Sequence, residues 1–348
     1  MKRILYAIQG TGNGHMARAL VLLPLLKKYF KVDVLISGRQ SNLSPPFEIQ
    51  FRCSGLSFVY DKSGGLSYSK TLLENNLGKI VREIKSLPVH QYDLIINDFE
   101  PISAYAAKLR GVPSLAFSHQ ASFLSKNTPR PSRKSLVGEF ILKHYAPCSH
   151  SIGLHFRRYE KWILPPVIRP EILESNPVDS GEFVVYLPAY GDSVLWKILS
   201  KIDAPFRVFS KYAAFWYKKG NVTFEPANAK EFSRRLISCS GVITGAGFET
   251  PAEALYLRKK LLCIPIKGQY EQYCNAEALR QLNVKVLDKL STKAVQNWLI
   301  EGSPADWPER SMAGRLTEKI PDLIYSIIDG QGIDQIIPLE ANVAENTW

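Results

Sequence analysis

Near the N-terminus the run Gly10-Thr11-Gly12-Asn13-Gly14-His15 combines three alternating glycines with a histidine. Glycines let backbone N–H groups approach a bound anion, and a helix starting just after them adds the positive end of its dipole. A neutral imidazole is a good proton acceptor near pH 7, so His15 is a candidate general base. A second group, Asn97-Asp98-Phe99-Glu100-Pro101, carries two carboxylates. Asp98 either orients His15 or binds acceptor hydroxyls; the plainer duty, for Asp98 or Glu100, is to cap the next helix. Asn13, Glu100, His119 and Gln120 are candidates for the acceptor side. The third group is Gly245-Ala246-Gly247, followed by Glu253 and by Glu271-Gln272. Its bare turn suits a diphosphate, Glu253 a ribose diol, and Glu271 with Gln272 the hydroxyls of a sugar.

These groups need elements that hold them. The apolar run Lys2–Ile8 reads as a strand and Met16–Phe30 as a helix. Strands are expected at Val32–Ser37, Phe51–Tyr60, Asp93–Asn97 and Ser114–Ser118, with helices at Lys70–Ser86 and Ile102–Arg110. Ser41–Pro46 reads as a turn. A proline-containing stretch over 121–150 breaks the alternation, with a helix expected around Ser135–Tyr145, and Ile163–Val167 and 174–181 read as linker. Strands then return at Glu182–Leu187, Phe206–Ser210, Val222–Glu225, Gly241–Thr244 and Lys260–Pro265. Helices are expected at Val194–Ser200, Ala229–Cys239, Thr250–Leu257 and Glu271–Gln281. Alternating strands and helices with short connections predict an α/β chain of two doubly wound parallel sheets. Such sheets bind ligands beyond the carboxyl ends of their strands, so two of them can face a shared cleft.

The expected division is an acceptor-side domain over 1–165, a hinge over 166–181 and a donor domain over 182–310, with a closing helix and tail over 311–348. The tail from about Gly330 has no evident role. The 348 residues are 45% hydrophobic and 22% charged, which excludes a disordered, collagenous or coiled-coil chain. The longest apolar stretch, Ala19 to Leu26, is far short of the roughly 20 residues of a membrane span. The first apolar run is too short for a signal peptide, so a cytoplasmic protein is expected. Five cysteines without CxxC spacing argue against zinc and disulfides. The net charge is +12, and the 121–170 stretch holds nine Lys/Arg against Glu139 and Glu160. That surplus suits phosphate-bearing partners: nucleotide sugars, anionic lipid surfaces or nucleic acid. No interleaved basic and aromatic motif favours nucleic acid, so none is expected. A dinucleotide site would want G-x-G-x-x-G and an acid closing the second strand; here that strand ends Ser37-Gly38-Arg39, leaving only an Arg39 contact to a 2′-phosphate for NADP. There is no P-loop lysine motif.

On Gly10–His15 and the run GVITGAGFETPAEALYLRKKLLCIPIKGQYEQYCNAEA over 241–278, the chain resembles the GT-B-fold glycosyltransferases across about residues 1–325. It is similar to nucleotide-sugar transferases that act on lipid-linked acceptors. The resemblance implies a GT-B fold and transfer from a nucleoside-diphosphate sugar, UDP-sugar first, to an acceptor hydroxyl. It implies no metal requirement; an inverting transfer, with no cofactor beyond the sugar nucleotide, is the expected mechanism. The resemblance gives His15 the role of base or acceptor-loop histidine, Gly12 and Gly14 that of loop glycines facing the diphosphate, and Gly245, Ala246 and Gly247 the phosphate turn. Glu253 is then the ribose carboxylate, and Glu271 and Gln272 hold the donor sugar. A last helix, expected at Arg315–Ile328, would cross back onto the first domain. The chain departs from the pattern at Gly245, where many relatives carry histidine, and at Glu271, where aspartate is commoner. The fold also hosts nucleotide-sugar epimerases and hydrolases, and a non-catalytic nucleotide-binding protein is the third alternative.

Overall fold

Ile4, Leu5, Tyr6, Ala7 and Ile8 are all fully buried, as a parallel strand between two helical layers requires. The structure, a computed structural model, describes residues 1–11, 13–38, 46–55 and 76–330, with only the backbone for Asn13. Gly12, Arg39, Ser41–Ser44 and the tail beyond Gly330 lie outside the described residues, as do the far end of the expected third strand and the start of the helix expected from Lys70.

The first half runs β1 (Arg3–Gln9), α1 (Asn13–Tyr29), β2 (Lys31–Ser37), β3 (Phe51–Cys53), α2 (Leu77–Ser86), β4 (Leu94–Asp98), α3 (Pro101–Arg110), β5 (Ser114–Ser118), α4 (Leu136–His144), β6 (His150–Leu154) and β7 (Ile163–Leu164). Its seven-stranded sheet has the order β3-β2-β1-β4-β5-β6-β7, with every pair parallel. The second half runs α5 (Pro170–Leu173), β8 (Phe183–Tyr186), α6 (Asp192–Leu199), β9 (Phe206–Ser210), β10 (Tyr217–Lys219), β11 (Val222–Pro226), α7 (Ala229–Ser238), β12 (Gly241–Thr244), α8 (Glu249–Tyr256), β13 (Lys260–Cys263), α9 (Tyr270–Gln281), β14 (Lys285–Val286), α10 (Thr292–Glu301) and α11 (Arg310–Ile328). Its order is β10-β11-β9-β8-β12-β13-β14, parallel except for the antiparallel edge strand β10.

Both sheets therefore reverse direction at one point: between β1 and β4 in the first, and between β8 and β12 in the second. Ligands of doubly wound sheets bind at such switch points. The register pairs Ile8 with Asp98, so the turn after β1 and the end of β4 lie side by side. β12 likewise ends at Thr244, one residue before the Gly245-Ala246-Gly247 turn. Helix α11 returns to the first half, where Tyr325 packs on Phe30 at 4.7 Å and its hydroxyl donates to the Tyr29 carbonyl at 3.2 Å.

The reading of Ile163–Val167 as linker is corrected: Ile163–Leu164 is the edge strand β7, hydrogen-bonded beside β6. Strands β6, β10 and β14 and helix α10 were also not expected from the sequence. With β7, these four strands are two to five residues long and lie at or next to a sheet edge, too short to show a period.

Candidate active site

His15 lies in the first turn of α1, directly after the glycine-rich turn. Its Nδ1 stands 2.8 Å from Asp98 Oδ1. A carboxylate only accepts, so Nδ1 carries a proton, and in the neutral ring Nε2 then presents a lone pair. Among the described residues Nε2 has no hydrogen-bond partner. Asp98 is fully buried at the end of β4. Arg18, one turn after His15 on the same face of α1, closes a fork on it: Nε donates to Oδ2 and Nη2 to Oδ1, both at 2.9 Å. Burial pushes the Asp98 carboxyl up, but Arg18 and His15 outweigh burial and hold it below the ordinary range.

The turn after Asp98 is built to separate it from Glu100. Phe99 has φ 54°, in the left-handed region that a bulky residue rarely adopts. The Asn97 amide braces the turn, donating to the Glu100 carbonyl at 2.7 Å and accepting from the Glu100 N–H at 2.9 Å. Glu100 then accepts from the N–H groups of Ile102 (2.7 Å) and Ser103 (2.6 Å) at the start of α3. Its acceptor-side assignment is corrected: Glu100 is fully buried and serves as the helix cap.

Across the cleft, Gly245-Ala246-Gly247 leads into α8, and a Cβ on Gly247 would meet open space. Glu249, the first residue of α8, accepts from Arg18 Nη1 at 2.5 Å. Its Cγ would lie 3.3 Å from a Cβ on Gly14, so the two turns approach each other at a glycine. Burial, with the charges of Glu253 and Asp98, raises the Glu249 carboxyl to about 7 despite Arg18. Glu253, one turn on, is buried and forked by Arg169, whose Nε and Nη2 donate to its two oxygens at 2.5 and 2.6 Å. A ribose diol at Glu253 would have to share those oxygens with Arg169. Gln272 holds the loop before α9: its Oε1 accepts from the Ile266 N–H at 2.9 Å and its Nε2 donates to Gln269 at 2.8 Å. A Cβ on Gly245 would stand 3.3 Å from that amide.

Residues after β5 meet α9. Gln120 Nε2 donates to Glu271 at 3.1 Å. His119 Nδ1 lies 2.8 Å from the Leu154 carbonyl and Nε2 lies 2.8 Å from Asn275 Oδ1, while Asn275 Nδ2 donates to the Ala246 carbonyl at 3.1 Å. The imidazole stacks on Phe248 with centroids 3.9 Å apart, and burial lowers its pKa although Glu271 is near. The acceptor-side assignment of His119 is corrected too: with 1% exposure and both nitrogens engaged, the ring is a wall between the halves. Among the described residues no three His, Cys, Asp or Glu side chains converge as a metal ion would need.

The sequence pattern of Glycosyl transferase family 1 matches residues 2–301. The chain belongs to that family. No curated protein matches this glycosyltransferase at a significant level. Its fold recurs in solved structures. The glycotransferase of kitacinnamycin is 14% identical, with 94% of this chain and 99% of that one covered and a TM-score of 0.62. UGT89C1 of Arabidopsis thaliana is 16% identical, with 97% and 100% covered and a TM-score of 0.55. MurG of Acinetobacter baumannii is 13% identical, with 94% and 100% covered and a TM-score of 0.53. At these identities the likeness is one of fold: this glycosyltransferase has the GT-B architecture of two Rossmann-like sheets facing a cleft.

In this glycosyltransferase the structure brings together His15, Asp98 and Gly14 from one half with the Gly245–Gly247 turn and the start of α8 from the other. Gly12 and the Asn13 side chain are outside the described residues. Arg18, Glu249, Arg169 and Asn275 were not expected as site residues from the sequence. A signal existed for Arg18: it is the only charged residue between His15 and Lys27, in an otherwise apolar helix. A lone cation there is exposed at a cost or paired in the interior.

Proposed function

We propose that this glycosyltransferase moves a sugar from a nucleoside-diphosphate sugar, UDP-sugar first, to an acceptor hydroxyl, with inversion and without a metal ion. The hydrogen bond from His15 to Asp98 at a sheet switch point, facing the start of α8, carries the reading. His15 Nε2 takes the acceptor proton while the acceptor oxygen attacks the anomeric carbon. The bond from that carbon to the diphosphate oxygen breaks, and its electron pair leaves with the diphosphate. Backbone N–H groups of Gly245–Gly247 and of the first turn of α8 receive the departing charge. UGT89C1 solved with UDP-L-rhamnose and VinC solved with dTDP lend weight to a nucleoside-diphosphate donor.

A thermal-shift panel of UDP, GDP, ADP, TDP and CDP tests the donor. A ligand at 100 times its Kd stabilises by about 2.7 kcal/mol. One diphosphate standing out supports the reading and names the nucleotide; no shift from any of them contradicts it.

The acceptor we propose is lipid-linked, at an anionic membrane surface. Helix α4 exposes Leu136 (86%), Val137 (42%) and Phe140 (65%), and Arg133, Lys134 and Lys143 beside them are exposed. Apolar side chains ringed by basic ones suit an anionic interface. Not every cation of the 121–170 stretch contributes: Arg130 is bound by Glu139 and Arg169 by Glu253. No helix among the described residues is long and apolar enough to cross a membrane. Co-sedimentation with anionic vesicles at low salt, lost in L136S/F140S, is the expected result; equal recovery with neutral vesicles contradicts it.

A further inference from the structure

Arg18 touches both halves of the site. It is 3% exposed on an apolar helix, its fork holds Asp98 of the first half, and its remaining Nη1 meets Glu249 of the second. A guanidinium is buried at tolerable cost only when its charge and donors are matched. Asp98 supplies part of that match from within the half, and Glu249 supplies the rest only when the halves are docked. The fork also decides what His15 can do. With Nε on Oδ2 and Nη2 on Oδ1, the carboxylate plane is fixed and Oδ1 faces the ring, so Nδ1–H is drawn to Asp98 and the Nε2 lone pair is aimed away from it.

We propose that Arg18 is a positioning residue for the transfer: by clamping Asp98 on one side of the cleft and Glu249 on the other, it makes the proton-accepting geometry of His15 depend on docking of the two halves. The inference rests on the reading of His15 as the base. Its chemical use is to withhold a competent base while the cleft is open to water and to complete it on closure, which favours transfer over hydrolysis of the donor.

The charges around the clamp define the test. Tyr6 of β1 sits beneath it, pushed up by burial and by Asp98 and so neutral; Glu253 of α8 also faces it and is paired with Arg169. Losing Arg18 leaves Asp98 uncompensated, 2.8 Å from the ring. The carboxylate plane is then no longer fixed, and the ring loses its fixed orientation.

Carbon and nitrogen NMR of the histidine rings in the full chain, with His15→Ala to assign the His15 signals, reads the tautomer without any substrate. The expected wild-type pattern of the neutral ring is a single tautomer, protonated on Nδ1. In Arg18→Met both tautomers are populated. Arg18→Lys, which keeps the charge but not the fork, does not restore the single tautomer. Glu249→Ala also mixes the tautomers, and Arg18→Met/Glu249→Ala mixes them no further than Arg18→Met. An unchanged tautomer in Arg18→Met and Arg18→Lys, with intact near-UV circular dichroism, overturns the proposal. So does a Glu249→Ala effect that persists in the double variant as a separate addition. Turnover that survives His15→Ala sinks the base reading instead, and is a distinct result.

Discussion

Each half of the cleft carries a buried carboxylate forked by an arginine, yet the two are used differently. Asp98 shares its oxygens between Arg18 and His15 and is held below the ordinary range. Glu253 gives both oxygens to Arg169, and burial still leaves it above the ordinary range. The charge of Asp98 reaches a titratable ring at the cleft wall. The charge of Glu253 is spent on tying the segment before α5 to α8. The same fork therefore orients chemistry on one side and fastens the connection between the halves on the other. What separates the two is a second partner that faces the cleft, not burial.

Removing Glu253 should give the largest effect on stability. Glu253→Ala leaves the half-buried Arg169 with only Ser233 and Glu171 and should lower unfolding free energy by about 3 kcal/mol in urea denaturation. A loss under about 1 kcal/mol would make Glu253 free for a ligand and erase the contrast with Asp98. Asp98→Asn keeps the shape but offers His15 Nδ1–H a poorer acceptor, so turnover should fall about 10²-fold, equivalent to about 2.7 kcal/mol of barrier. Glu100 sharpens the comparison from two residues away, since it only caps α3. Glu100→Ala should cost about 1 kcal/mol of stability and leave the pH profile of turnover in place.

A further comparison is a pH dependence of opposite sign at the two ends of Arg18. Asp98 has a lowered folded-state pKa, so its contribution is present above the unfolded value and is lost as pH falls. Glu249 is raised from 4.5 to about 7, so the folded protein binds the extra proton and stability drains as pH rises through that window. Urea midpoints of the wild type should fall between pH 4.5 and 7 relative to those of Glu249→Gln. Parallel curves would mean that Glu249 is not charged against its neighbours.

Much of this arrangement is legible in the sequence because it follows from local pattern. The glycine turns at 10–14 and 245–247, each between an apolar strand and a helix, announce the two switch points, and Asp98 ends a five-residue strand. Contacts between halves are not local. Arg18 and Glu249 are 231 positions apart, and His119 and Asn275 are 156 apart, so no spacing rule links them. Glu100 and His119 are polar residues at strand ends, which is where ligand contacts and helix caps both occur; only burial separates the two duties. The edge strands β7 and β14 were hidden because two residues carry no period.

The proposed transfer turns on His15, set by Asp98, accepting the proton of the acceptor. His15→Ala, assayed for transfer and for binding of the nucleoside diphosphate selected by the panel, tests it most directly. Turnover should fall by about 10²-fold or more, with the diphosphate affinity within about threefold of wild type. Turnover equal to that of the wild type would contradict it.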